Sequence, residues 1–172
     1  RIEAEGTPQA RTTSIDWHPT YRLPTRIAEP LRLTTHVYDA RGNLLTKTEQ
    51  STTDATGAAG FNATATGSPR TWSWTYNQYG QILTARGPRT DIDDTVRYTY
   101  DEQGNLPSTT NAAGHVTTLT DYDPNGRVGR IIDPNGVVTQ LSYSPRGWLT
   151  RRKVGNETTT YDYDGVGQLI KV

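Results

Sequence analysis

The 172 residues include no cysteine and no methionine. Thiol nucleophiles, disulfide staples and cysteine-ligated zinc are therefore excluded, and cysteine usage says nothing about redox compartment. A charge excess of either sign is also missing. Eighteen basic residues balance 18 acidic ones, so no general pull toward nucleic acid or an anionic membrane is expected. No apolar run approaches the length of a membrane span, and mean hydropathy is −0.76. The opening RIEAEGTPQARTTS has no apolar stretch of signal-peptide type. The chain starts at Arg1 rather than Met and is expected to come from something longer. Hydrophobic residues are sparse, 32% even with tyrosine counted, so a closed core would be thin. Disorder is the rival reading, but disordered chains are poor in aromatics, and this one has ten Tyr, four Trp and one Phe.

Most of those aromatics fall in register. Tyr-x-x-x-Gly-x-(Leu/Ile/Val) occurs at Tyr38/Gly42/Leu44, Tyr76/Gly80/Ile82, Tyr100/Gly104/Leu106, Tyr122/Gly126/Val128, Tyr143/Gly147/Leu149 and Tyr163/Gly167/Leu169. A degenerate first copy keeps Trp17 and Leu23. The period is about 21 residues with one insertion, which marks a repeat architecture. The residue after each Tyr (Asp39, Asn77, Asp101, Asp123, Ser144, Asp164) hydrogen-bonds its own backbone two residues on, and Pro124 and Pro145 sit where a type I turn wants them. Gly at the fourth position supplies the left-handed residue that closes such a turn into a bulged hairpin. Tyr and the aliphatic residue are then expected to flank the turn on paired strands.

A weaker turn set alternates with the first: Asp54…Gly57, Asn111…Gly114, Asp133…Gly136 and Gly155-Asn156. The connecting segments, such as 116–122 and 158–163, are rich in Thr, Tyr and Val, as strands are. From Gly114 to Tyr122 is eight residues, but from Gly136 to Tyr143 is seven. That slip must flip the side chains or be absorbed by a bulge. No helical period is sustained. The expectation is an all-β fold of tandem β-hairpins forming a curved antiparallel ribbon, with residues 1–14 as a lead-in and 15–172 as the ribbon. The small, polar, glycine-rich stretch at about 51–69 reads as a flexible excursion, with a worn-out copy as the alternative.

YDARGNL at 38–44, YDEQGNL at 100–106 and YDPNGRV at 122–128 resemble the signature of the YD-repeat, or rearrangement-hotspot (RHS), family, and WHPTYRLPTRIAEP at 17–30 resembles a variant of its first copy. The resemblance implies a long β-ribbon spiralling into a hollow shell. In bacterial members that shell encloses a C-terminal toxin, as in polymorphic toxins and insecticidal toxin complexes. In teneurins a similar barrel serves cell-surface adhesion. The implied role is an arc of shell wall, structural and non-enzymatic, in a secreted or envelope-associated protein. Its partners would be other parts of the parent protein or the toxin cargo. Cofactors and metals are not implied. A cargo domain and an autoproteolytic Asp-Pro-x-Gly-Leu segment are both missing, since Asp133-Pro134-Asn135-Gly136 runs into Val137. Size agrees with an arc: seven two-strand copies at ~4.8 Å would close into a ring roughly 21 Å across, too narrow for a folded cargo.

Sharper chemistry is thinly supported. Asp121-Tyr122-Asp123-Pro124-Asn125-Gly126 begins like a calcium loop, but Ile132 stands where that loop needs a bidentate Glu, and sibling copies lack Asp121. Ser14, Asp16 and His18 carry triad letters along one strand, without convergence from separate elements. Trp72, Trp74 and Trp148 are candidate ligand-contacting aromatics for carbohydrate, with cross-strand packing as the plainer reading. Open sheet edges predict self-association.

Overall fold

The computed structural model describes all residues, Arg1–Val172. They form two compact units, Arg1–Thr95 and Val96–Val172. The first holds β1 (Ile2–Glu3), β2 (Arg11–Thr12), β3 (Ser14–Trp17), β4 (Pro24–Glu29), β5 (Arg32–Tyr38), β6 (Leu44–Thr52), β7 (Ala65–Tyr76) and β8 (Ile82–Arg86). β9 (Thr95–Thr99) leads into the second, which continues through β10 (Ser108–Thr110), β11 (Val116–Thr120), β12 (Arg130–Ile132), β13 (Val138–Tyr143), β14 (Leu149–Val154), β15 (Glu157–Thr160), β16 (Asp162–Tyr163) and β17 (Leu169–Lys171). There is no α-helix, and one 3₁₀ turn spans Gly60–Asn62.

Strand order is sequence order. β3 to β15 make one antiparallel sheet in which each strand pairs with the one before and after it, while β1–β2 and β16–β17 form separate pairs. The fold is therefore a meander of tandem hairpins, with β3 and β15 each paired on one side only. A single layer encloses little. Ala28 is the sole buried hydrophobic residue, and the other buried residues are Thr34, Thr52, Gly57 and Thr95. Stability in such a sheet comes from ladders and cross-strand side-chain pairs rather than a closed core. Threonine and serine hydroxyls pair across strands: Thr48 with Thr71 at 3.0 Å, Thr75 with Thr84 at 2.6 Å, and Thr99 with Ser108 at 2.8 Å.

The repeat aromatic and aliphatic residues face each other on paired strands at Tyr38/Leu44, Tyr76/Ile82, Tyr143/Leu149 and Tyr163/Leu169. Two copies depart from that expectation. β9 stops at Thr99 and β10 starts at Ser108, so Tyr100 and Leu106 lie outside the ladder. β11 stops at Thr120 and β12 starts at Arg130, so Tyr122 and Val128 lie outside it too. The causes are local. Pro107 follows Leu106 and has no amide to give a ladder. Asp121, with a left-handed φ of 57°, takes the backbone out of extended geometry just before Tyr122, which leaves Val128 with no strand to pair against.

Asp121 also takes up the extra residue between Gly114 and Tyr122. Gly129 stands opposite: a Cβ there would lie 2.5 Å from Asp121 O. The local bulge absorbs the slip, and the Tyr122 hydroxyl still reaches back to Leu106, as those of Tyr38, Tyr76 and Tyr163 do to their own preceding copies. Residues 51–69 divide between the ends of β6 and β7 and the loop 53–64 that joins them. The Asp54 carboxylate accepts the amides of Thr56, Gly57 and Ala59. The loop also meets the lead-in, where the Thr12 amide donates to Thr56 O at 2.8 Å.

Candidate functional site: the repeat turns

Each copy from Tyr38 onward builds its turn with the same bonds. In the first, Gly42 N donates to Asp39 O at 3.0 Å and Asp39 N to Asn43 O at 2.9 Å. Asp39 Oδ1 accepts the amides of Arg41 and Asn43. The same backbone pair closes the turns at 77–81, 101–105, 123–127, 144–148 and 164–168, and also those at 111–115 and 133–137 of the weaker set. Gly42 has φ +85° and Gly126 +75°, so the left-handed position is filled by the residue that occupies it at least cost.

The residue after that glycine completes the ring. Asn43 Nδ2 donates to Asp39 Oδ2, Asn105 Nδ2 to Asp101 Oδ2, and Arg127 Nε to Asp123 Oδ2; Asn77 Nδ2 donates to Gln81 Oε1. This position, the sixth counted from the repeat Tyr, escaped the sequence pattern because its identity varies. Its signal was the shared ability to hydrogen-bond a carboxylate or amide.

The same position explains why turn closure, the single role the sequence assigns to the repeat glycines, is an incomplete account of them. In four copies, at Asn43, Asn105, Arg127 and Trp148, that side chain lies against the glycine of the following copy. A Cβ at Gly80 would stand 3.3 Å from Asn43 Oδ1, one at Gly147 2.7 Å from Arg127 Nη1, and one at Gly167 2.7 Å from Trp148 Cζ2. At Gly126 the neighbour is Asn105 Oδ1, a looser 3.6 Å away. Gly167 is therefore needed for close approach of the Trp148 ring as well as for backbone conformation, while at Gly80 and Gly147 the neighbouring side chain would have to shift.

The register shifts by one residue at the repeat aromatic in the copies led by Trp17, Tyr38, Tyr76, Tyr143 and Tyr163. Beside three of them, in the copies led by Trp17, Tyr38 and Tyr143, lies the residue whose carbonyl the next copy uses. Tyr38 Oη donates to Pro24 O at 2.9 Å, Tyr76 Oη to Leu44 O at 2.8 Å, Tyr122 Oη to Leu106 O at 2.7 Å and Tyr163 Oη to Leu149 O at 2.9 Å. The phenol thus ties each of these copies to the one before it, at a place where the ladder is disturbed. Desolvation raises the pKa of Tyr38, Tyr76 and Tyr122, which keeps the hydroxyl a donor. Tyr143 has the Arg127 guanidinium over its ring instead, 5.4 Å from the centroid.

Arginines join the turns directly. Arg41 donates to Gln78 O, Arg127 to Ser144 O and Arg146 to Gly165 O. Each links one turn to its successor.

The carboxylates of these turns are held in their charged form. Asp39 and Asp101 lie below the usual carboxylate range, chiefly through the side-chain bonds from Asn43 and Asn105. At Asp123 desolvation pushes upward, but the amide and guanidinium of Arg127 outweigh it. His36 is lowered by desolvation and by Lys47. All four groups bind protons more weakly folded than unfolded, so the stability they contribute is present above the unfolded pKa and lost as pH falls through the folded one. Thermal stability should therefore begin to fall below pH about 6.5 through His36 and steepen below about 4 through the aspartates. Melting curves from pH 8 to 3 test this. His36→Gln should flatten the upper limb, and Asp39→Asn with Asp101→Asn and Asp123→Asn the lower one. Asn77 already makes the same turn bonds without titrating.

The triad letters are spent locally. Asp16 pairs with Arg26. His18 Nδ1 accepts the amides of Thr20 and Tyr21, taking the part that Asp plays in later copies. Asp123 is likewise engaged within its own turn by Asn125 and Arg127. Among the candidate aromatics, Trp72 is contacted by Lys47 and Arg70, each 5.1 Å from its ring. Trp148 meets Arg146 at 5.3 Å and Tyr163 at 5.3 Å. Trp74 shares the β7 face with Trp72 and Tyr76, opposite Ala85. Trp17, which the pattern passed over as a ligand candidate, is 58% exposed.

Tandem hairpins linked copy to copy by a tyrosine define a YD-repeat shell protein. The chain belongs to the teneurin YD-shell family, whose match covers residues 59–172. No curated protein matches it. Among solved structures, the fold is similar to the complex TcdB2-TccC3-Cdc42, at 21% identity over 98% of this chain and a TM-score of 0.75. The Tc holotoxin pore of Photorhabdus luminescens is also similar, at 21% identity over 98% of this chain and a TM-score of 0.76. TcdB2-TccC3 itself matches at 20% identity over 98%, with a TM-score of 0.75. In each case this chain spans 9% of the other's length.

Proposed function

We propose that this chain is a stretch of wall in a YD-repeat shell whose lumen holds a polypeptide cargo, a toxin carried C-terminal to the shell in the same protein. One observation carries the reading: the recurrent side chains are committed to neighbouring copies. Tyrosine hydroxyls reach the preceding copy and arginines the following turn. A surface organised in this way extends itself, which is what a wall requires. The similar solved chains are about eleven times longer than the part this chain matches, consistent with an arc. A TcdB2-TccC3 structure without its hypervariable C-terminal region remains as similar, with a TM-score of 0.75, so the wall fold stands without that region. The protein acts by enclosure rather than catalysis, outside the cytoplasm or at the cell envelope.

Electron cryo-microscopy of the longest natural protein that carries this segment is the test. A hollow shell containing density, with the residues beyond the shell protected from added protease until the shell is denatured, is the expected result. A solid or open particle with those residues digested at once would reject the reading.

A further inference from the structure

On the sheet face opposite Tyr98 and Tyr143, the Val96–Val172 unit carries cations without partners. Cross-strand register places Thr120, Arg130, Gln140, Lys153 and Thr158 in one row, because directly opposed residues of antiparallel strands project to the same side. Arg151 stands on that side two residues from Lys153, opposite Ser142. Arg130 and Lys153 are two strand spacings apart, about 10 Å, and Lys153 and Arg151 about 7 Å.

Three observations mark this row as unfinished. Arg130, Arg151 and Lys153 form no ion pair, whereas Arg127 in the same unit pairs with Asp123 at 2.6 Å. Arg130 Nε is buried with no hydrogen-bond partner, a costly state that no group of the sheet relieves. Finally, a hollow of about 130 Å³ lined by Val138, Gln140, Lys153 and Gly155 opens on the same row. Among the paired residues that share this face from β9 to β15, none is acidic and none is aromatic.

We propose that this face docks an extended acidic polypeptide segment, with Arg130, Arg151 and Lys153 receiving its carboxylates. The spacing fits. Acidic side chains at alternate positions of an extended chain stand about 7 Å apart on one side, the interval between Arg151 and Lys153. Gln140, between Arg130 and Lys153, offers both a donor and an acceptor to the incoming backbone. Charge complementarity alone would also admit a single-stranded nucleic acid, but such sites stack bases on aromatic rings, and here the aromatics lie on the other face. The inference goes beyond the wall reading and does not depend on any toxin being enclosed.

Fluorescence anisotropy of a labelled alternating Glu-Thr peptide, titrated with the 172-residue protein at low and at high salt, tests it. Binding that weakens with salt is expected. Arg151→Gln with Lys153→Gln should bind about tenfold more weakly, while Arg86→Gln should bind as the parent does. Circular dichroism confirms that each variant is folded. No binding by folded parent protein, equal binding of a Lys-Thr peptide, an unchanged affinity in the double variant, or tighter binding of oligothymidylate would each overturn the proposal.

Discussion

Gly57→Ala should release the loop 53–64 from the lead-in strand and lower the stability of the Arg1–Thr95 unit by about 3 kcal/mol, at the upper end of single substitutions. Two effects combine. Gly57 sits at φ +78°, where a Cβ costs roughly 1–2 kcal/mol by itself. That Cβ would also stand 2.0 Å from Thr12 O and 3.3 Å from Pro30 Cδ. The first obstacle is backbone, so no rotamer change removes it. Relief requires the loop to lift, breaking the bond from Thr12 N to Thr56 O. Gly67 is the control, with φ +68° and nothing within 4 Å of its Cβ position, so Gly67→Ala should show the backbone cost alone. Chemical denaturation gives the energies, and hydrogen exchange at the Thr12 amide reports the loop locally. Equal losses in the two variants would refute the steric part.

The second large effect is expected at Tyr122. Tyr122→Phe removes only the bond to Leu106 O and should cost about 1 kcal/mol. Tyr122→Ala also removes the half-buried ring and should cost about 3 kcal/mol. The loss should be local first, with exchange of the Leu119 amide, bonded to Pro107 O at 2.9 Å, rising before that of distant strands. Tyr79→Ala is the contrast, since that ring is 79% exposed and its loss should stay within about 0.5 kcal/mol. If Tyr122→Phe were as damaging as Tyr122→Ala, the phenol rather than the ring would be the link. No difference between Tyr122→Ala and Tyr79→Ala would remove the tyrosine tie altogether.

Much of this architecture was readable from residues close in the chain. Asp101, Gly104 and the residues between them determine a turn within four positions, so the hairpin and the all-β meander followed from local chemistry. What lay beyond reach depended on distance. Nothing near Tyr76 says that its hydroxyl will find Leu44 O, 32 residues earlier. Arg41 in isolation looks like a solvated turn residue, and only the stacking of turns brings Gln78 O to it. That stacking also sets Trp148 against Gly167, a contact no turn pattern contains. The slip before Tyr122 was visible as a count, but its solution in a left-handed Asp121 against Gly129, and the loss of Val128 from the ladder, needed the partner strand. The cationic row on β12 and β14 was hidden for the same reason. Arg130 and Lys153 are far apart in sequence, and Arg151-Arg152-Lys153 reads as one basic run until the pleat sends Arg152 to the other side.

Because strands of the main sheet pair in sequence order, each with its predecessor and successor, the length of the sheet is a free variable. Gaining or losing one hairpin would advance it by about 10 Å without redesigning any residue outside the new junction. Recombination that adds or removes one copy, ordinarily ruinous to a protein with a closed interior, would here resize the product and leave it foldable.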